Sequence, residues 1–273
     1  MSRSTRHGFS LIEVLVIFAI IAILFALTLP ATRRVQGAAS RMKCSNNLKQ
    51  LMLAVHSYSD RYSVMPPLTE RPATSTDPYL PAGYFGPGKS PDERLSWSVA
   101  LLPYLEQDNL FKRFDVEQGY AENLPTAQTT VPVFLCPSSP ESSTNHTLTN
   151  YVAPSGIGLG AAEQPAGTAG NGFMGYDRRT SFAMIKDGTS NTIALMETRA
   201  GLGPWARGGP STVRGFDPAD APPIGDGRPF GEHGGGANVA MVDGSVRFVS
   251  GKVAPHNLAA AITIAGGEPF DLD

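Results

Sequence analysis

The sequence predicts an α+β fold in which a long N-terminal helix, membrane-spanning in its first part, packs on an antiparallel β-sheet head with long Gly/Pro-rich loops. Three observations predict it. An abrupt apolar run fills Phe9 to Leu29, a helical stripe continues beyond it to Tyr62, and two β-rich runs near the C-terminus meet at Asp243-Gly244. The chain has 273 residues, with 29 glycines, 23 prolines and 17% charged residues against about 25% in an average globular chain. A formal charge of −2 supplies no overall basic field, so no nucleic-acid partner is expected. Two cysteines, Cys44 and Cys136, exclude a disulfide-dense miniprotein and a zinc site built from Cys pairs.

Taking the elements in order, Met1 to Gly8 is short and polar, with Arg3, Arg6 and His7. The run FSLIEVLVIFAIIAILFALTL that follows carries one charge, Glu13, and is long enough as a helix to cross roughly 30 Å of hydrocarbon. A secretory signal peptide would have a shorter core and a small-residue cleavage site, whereas this run ends at Pro30. A plain transmembrane anchor is the simpler alternative. A carboxylate in the bilayer costs about 2.5 to 3.5 kcal/mol on insertion scales, which marks Glu13 as functional. Cleavage before Phe9 would place a new α-amino group one helical turn from it, able to pair within a subunit or between neighbours.

Gly8-Phe9-Ser10-Leu11-Ile12-Glu13, preceded by basic residues and followed by an unbroken apolar helix, resembles the class III leader of type IV prepilins and type II secretion pseudopilins. The resemblance implies a pilin-like protein with a leader at 1–8, a transmembrane helix at 9–29, a periplasmic helical continuation at 30–64 and a globular head at 65–273. A prepilin peptidase would cut between Gly8 and Phe9 and methylate Phe9, Glu13 would guide assembly, and Pro30 stands where many pilins carry a helix-kinking proline. Arg33, Arg34, Arg41 and Lys43 after the apolar run outnumber Arg3 and Arg6, so a positive-inside count alone favours the reverse orientation.

Past Pro30, Cys44, Leu48, Leu51, Val55, Tyr58 and Tyr62 recur at steps of four and three, one stripe of a helix that would run roughly 80 Å from Phe9. A free coiled-coil stalk would need a longer repeat. Met65 to Arg94 carries seven prolines and reads as a loop wrapping the head. Leu95 to Phe114 reads as a helix broken near Pro103 with Ser96 as N-cap, and Val131 to Cys136 as a short strand. Asn191 to Thr198 reads as a strand between Gly-rich surface loops at 156–175 and 201–236. Ala237 to Ser250 reads as a hairpin with a two-residue type I′ turn at Asp243-Gly244, followed by a helix from Ala254 to Ile264.

The phrases CSNNLKQ, LSWSVALLPYLEQ, FLCPS, TNYVAPSG, DGTSNTI and HGGGANVAMVDGSVRFVS together resemble, in order, a bacterial family of prepilin-type proteins. That family has a C-terminal His-x9-Asp-Gly motif, here His233, Asp243 and Gly244, and a head without an assigned function, sometimes labelled solute-binding-like. The resemblance implies a pilin-like α+β fold and membrane attachment, and no reaction.

His233 and Asp243 invite a metal or acid–base reading, but ten steps along a strand would separate them by up to roughly 33 Å, which favours a structural Asp243-Gly244. Asp187-Gly188-Thr189-Ser190-Asn191 lacks the spaced acidic ligands of a calcium loop and reads as an Asx-type turn. Cys44 and Cys136 would form a disulfide if the head lies outside the cytoplasmic membrane, or stand as two buried thiols. His146, His233, His256, Ser155 and Asp187 are scattered, and no nucleophile elbow occurs. No catalytic residue, metal or cofactor is assigned. The expectation is a non-enzymatic pilin- or pseudopilin-like subunit on the cytoplasmic membrane, single-pass, with its head periplasmic or extracellular. Its partners would be the membrane, prepilin peptidase and other pilin-like subunits. The alternative is a membrane-anchored binding module for a glycan, solute or surface polymer, its envelope ligand unassigned.

Overall fold

The computed structural model describes residues 11–62, 89–178, 180–225, 228–231 and 233–272, and side chains within them except those of 25–36 and Tyr62. The chain divides into two units, Met1–Ser40 and Arg41–Asp273. Helix α1 (Leu11–Tyr62) is continuous over 52 residues, and its helical assignment is uninterrupted at Pro30.

In the first unit, Leu11, Ile12, Leu15, Phe18 and Ile23 are exposed apolar side chains. Among the described residues no helix is long and apolar enough to cross a membrane. This corrects the expected transmembrane helix at 9–29 and the single-pass location. The membrane as partner, the membrane-based meeting with a peptidase and like subunits, and the membrane-anchored subunit and binding-module readings lose their basis with it.

In the second unit, the α1 stripe Cys44, Leu48, Leu51, Val55 and Tyr58 is fully buried. The sheet it covers has strands β1 (Tyr151–Ile157), β2 (Ile193–Glu197), β3 (Val213–Phe216), β4 (Gly236–Met241) and β5 (Val246–Ser250), in the order β3-β1-β2-β4-β5. The expected antiparallel sheet is corrected to a mixed one, because β3 runs parallel to β1 while the other pairs are antiparallel. Both faces are buried. Tyr151, Ala153, Ala240 and Val242 join the α1-side core with Trp97 and Trp205, whereas Val152, Val239, Met241 and Val249 join a second core with Leu258 and Ile262. Period-two alternation sorts these side chains between the faces. It is interrupted in β2, where a bulge between Ile193 and Leu195 turns consecutive Ala194 and Leu195 to the α1 side.

The short helices are α2 (Trp97–Leu101), α3 (Asp108–Phe111), α4 (Leu124–Ala127), α5 (Pro140–Thr144) and α6 (Pro255–Ile262). Ser96 caps α2 by accepting from the Ser98 N–H at 3.3 Å, and Pro103 lies in the 3-10 turn that breaks the segment before α3. The expected strand at 131–136 is instead a 3-10 turn at Pro132–Phe134, since a proline without an N–H starts it. The hairpin forms between β4 and β5, but not with a type I′ turn. Only Gly244 has positive φ (+85°), the Gly244 N–H donates to Met241 O and the Met241 N–H to Ser245 O, giving a three-residue loop with glycine at its left-handed position.

The Gly-rich stretch at 156–175 is not purely a surface loop, because Ala161, Ala162, Phe173 and Met174 are buried. Arg178, 3% exposed, holds it. Its guanidinium donates to the carbonyls of Ala161 (2.8 Å), Gln164 (3.2 Å), Gly172 (3.3 Å), Met174 (2.5 Å) and Ser155. Burial pushes its pKa down to about 10. The four N–H groups of its two terminal nitrogens share these five carbonyls, a spread that the three donors of an ammonium do not match. Arg178→Lys is therefore expected to lower the free energy of unfolding by about 1 to 3 kcal/mol, seen as a lower urea midpoint at unchanged slope.

Candidate functional site

The residues with chemistry converge where α1, the end of β2 and the loop entering β4 meet. Parity brings them there. Glu197 lies two residues after Leu195, and Asn238 two before Ala240, so both point to the α1 face on which Cys44 is buried. Cys44 and Cys136 are joined by a disulfide with a Cα–Cα distance of 5.4 Å across 92 residues. Closing a loop of that size stabilises a fold by about 4 to 5 kcal/mol on the chain-entropy account.

Polar contacts fix the frame around the bridge. The Asn47 amide donates to Leu135 O at 2.9 Å and to the Tyr151 hydroxyl at 3.2 Å, while that hydroxyl donates to Cys44 O at 3.4 Å. The Cys136 N–H donates to Asn150 Oδ1 at 2.9 Å. Asn150 in turn exchanges backbone bonds with Phe134 and Thr198, which carries the bridge onto the strand ends.

Beside the disulfide sit a carboxylate and an imidazole. Glu197 is 0% exposed, and its side chain accepts from the Asn238 N–H at 2.6 Å and the Asn238 amide at 2.9 Å. His233 Nε2 stands 3.3 Å from Glu197 Oε1 and 3.9 Å from Cys136 Sγ, and Nδ1 lies 3.3 Å from Ser138 Oγ. With Glu197 ionised, the Nε2–H donates to the carboxylate, and Nδ1 is free to accept the serine proton. The loop that aims His233 is the triglycine turn: the Gly236 N–H donates to His233 O, and Gly235 takes a φ of +89°.

The structure separates the other residues singled out by sequence. Asp243 lies at the opposite end of β4 from His233, where Oδ1 accepts the Ser245 N–H at 2.8 Å within the turn that Gly244 makes. His56 Nε2–H donates to Val242 O at 2.8 Å and ties that turn to α1. Asp187 accepts the N–H groups of Gly266 (2.7 Å) and Gly267 (2.8 Å), holding the C-terminal loop, and the Asn191 amide donates to Asp187 O. His146 is hydrogen-bonded to Ser142 O, Ser155 is buried in β1, and His256 is exposed on α6. Glu13 lies exposed in α1, and Gly8 and Phe9 lie outside the described residues. Glu197 escaped the sequence reading. Its signal was a single carboxylate closing the apolar run Ile193-Ala194-Leu195-Met196.

A family model described as a protein of unknown function (DUF1559) matches residues 34–220. A second, described as a prokaryotic N-terminal methylation motif, matches residues 3–29, so a prepilin-type methylation motif is present. No curated protein and no solved structure matches the chain.

Removing the Glu197 carboxylate would strand the Asn238 N–H and the His233 imidazole in a buried site. Glu197→Ala is expected to cost about 3 to 5 kcal/mol in urea unfolding, and Glu197→Gln, which keeps an acceptor, clearly less.

Proposed function

We propose that this chain, which belongs to the family described as a protein of unknown function (DUF1559), is a pilin-type protein processed at its N-terminus and carrying a non-catalytic, disulfide-tied head. Cleavage falls between Gly8 and Phe9, and Phe9 becomes N-methylated. Continuity carries the reading. The methylation motif at 3–29 leads into the family-matched region at 34–220 through a single helix, α1, whose described first part bears exposed apolar side chains. That order of segments, motif, long helix and sheet-bearing head, is the order a pilin-type protein would have.

The chemistry of the new terminus supports a role for Glu13. Phe9 precedes it by four residues, one helical turn, and an N-methylated amine remains a cation. The two opposite charges would then be close enough to pair. A non-catalytic head is supported by the state of the candidate groups: Asp187 is spent on backbone N–H groups, His146 is bonded to a carbonyl, and His233 faces a disulfide.

Mass spectrometry of the N-terminal peptide from the full-length protein of its native host tests the reading. The expected peptide begins at Phe9 and carries one added methyl group, and Glu13→Ala leaves both changes in place. A peptide that still begins at Met1 overturns the proposal.

A further inference from the structure

We infer that reduction of the Cys44–Cys136 disulfide opens a zinc site, in which the two thiolates, His233 Nε2 and Glu197 Oε1 are the four ligands. The bridge would then act as a redox gate on metal binding. This inference is independent of how the N-terminus is processed.

Geometry is the first support. The four ligand atoms all lie within 4.8 Å of one another. A tetrahedral zinc ion with bonds of about 2.3 Å to sulfur and 2.0 to 2.1 Å to nitrogen or oxygen separates its ligand atoms by roughly 3.3 to 3.8 Å. His233 Nε2 to Glu197 Oε1, at 3.3 Å, and His233 Nε2 to Cys136 Sγ, at 3.9 Å, already stand near those separations. The main movement required is the parting of two bonded sulfurs to about 3.8 Å. Two sulfurs, an imidazole and a carboxylate form a donor set of intermediate softness, which suits zinc over calcium or magnesium.

The surroundings are the second support. A ligating histidine usually has its other ring nitrogen hydrogen-bonded, and a ligating carboxylate its other oxygen held. Here Ser138 Oγ stands by Nδ1, and the Asn238 N–H donates to Glu197 Oε2. The site is dry: both cysteines and the Glu197 side chain are 0% exposed, and the His233 side chain is 9% exposed. Zinc would be matched in charge by the two thiolates, and the Glu197 carboxylate would keep its Asn238 donors. An open groove of about 180 Å³, lined by Lys43, Leu135, Cys136 and Ser139, abuts the Cys136 side of the bridge, the side from which a small reductant would approach.

The chemistry balances with a dithiol as reductant. One dithiol thiolate attacks a bridge sulfur, the second closes on the mixed disulfide, and two electrons pass to the cystine. The products are two cysteine thiols and a cyclic disulfide. Zinc then binds both sulfurs as thiolates and His233 through Nε2; the two thiol protons go to solvent, and the imidazole proton moves from Nε2 to Nδ1, where it faces Ser138 Oγ.

The test uses the full-length chain, reduced with dithiothreitol, freed of it without oxygen, and titrated with zinc against a chromophoric chelator. One zinc per reduced chain and none per oxidised chain is expected. Cobalt in its place should give thiolate-to-cobalt charge-transfer and tetrahedral d–d bands. X-ray absorption of the zinc-loaded protein should show two sulfur ligands and two nitrogen or oxygen ligands. His233→Ala should weaken zinc binding by at least about tenfold while keeping the far-UV circular dichroism of the oxidised chain. The inference is overturned if the reduced chain takes up no zinc, if it unfolds and zinc does not restore it, or if cobalt shows oxygen ligation only. Unchanged affinity in His233→Ala also overturns it. Should that variant not fold, the sulfur count from X-ray absorption on the unsubstituted chain decides alone.

Discussion

A mixed sheet buried on both faces is the constraint from which the rest of the head follows. β1, β2 and β4 have no solvent face, so each must read as an apolar run, and each needs a covering layer on either side. The second part of α1 supplies one layer, and α6 the other. The loops cannot then be idle. Residues 156–178 fold back around Arg178, whose guanidinium donates to five backbone carbonyls.

The same burial explains where chemistry can gather. Strand ends are the places where a sandwiched sheet admits polar groups, and the end of β2 receives Glu197, the entry to β4 receives His233 and Asn238, and α1 passes overhead with Cys44. With the segment that carries Cys136, four segments distant in sequence meet there. Any site they form depends on long-range pairing, and the 92-residue bridge reduces the freedom of the unfolded chain to lose that pairing.

This dependence sets what was legible in the sequence. Local signals were readable: the stripe from Cys44 to Tyr58, the Ser96 cap, the break at Pro103, β2, the terminal hairpin and α6 each rest on spacing or on one residue's chemistry. Non-local facts were not. The parallel placement of β3 beside β1 depends on a return connection with no period of its own, and the turn at Pro132–Phe134 on a proline that overrode a β-rich composition. Asp243-Gly244 suits two loop lengths, and only the pairing of Ala240 with Val246 selects the longer. A spacing rule that seeks paired cysteines bears only on sites built from Cys pairs, and it is silent on side chains brought together singly from residues 44, 136, 197 and 233. The apolar run after Phe9 was legible as composition, and composition alone did not establish a spanning helix among the described residues.

Glu197 also constrains the sheet itself. The pairing of Met196 with Val239 sets Glu197 opposite Asn238, whose backbone and side-chain N–H groups both reach the carboxylate. A slip of one residue in β2 would rotate that carboxylate onto the other face, among Val152, Phe216 and Phe230, where nothing in the apolar cluster can pair with it. An apolar residue at 197 would tolerate the slip, because both faces are apolar. β2 carries a bulge between Ile193 and Leu195, so its register is not enforced by regular alternation. The buried charge enforces it instead, and its cost is offset by three polar contacts available in one register only. The group that would ligate a metal is thus the group that makes the strand arrive in the position where ligation is possible.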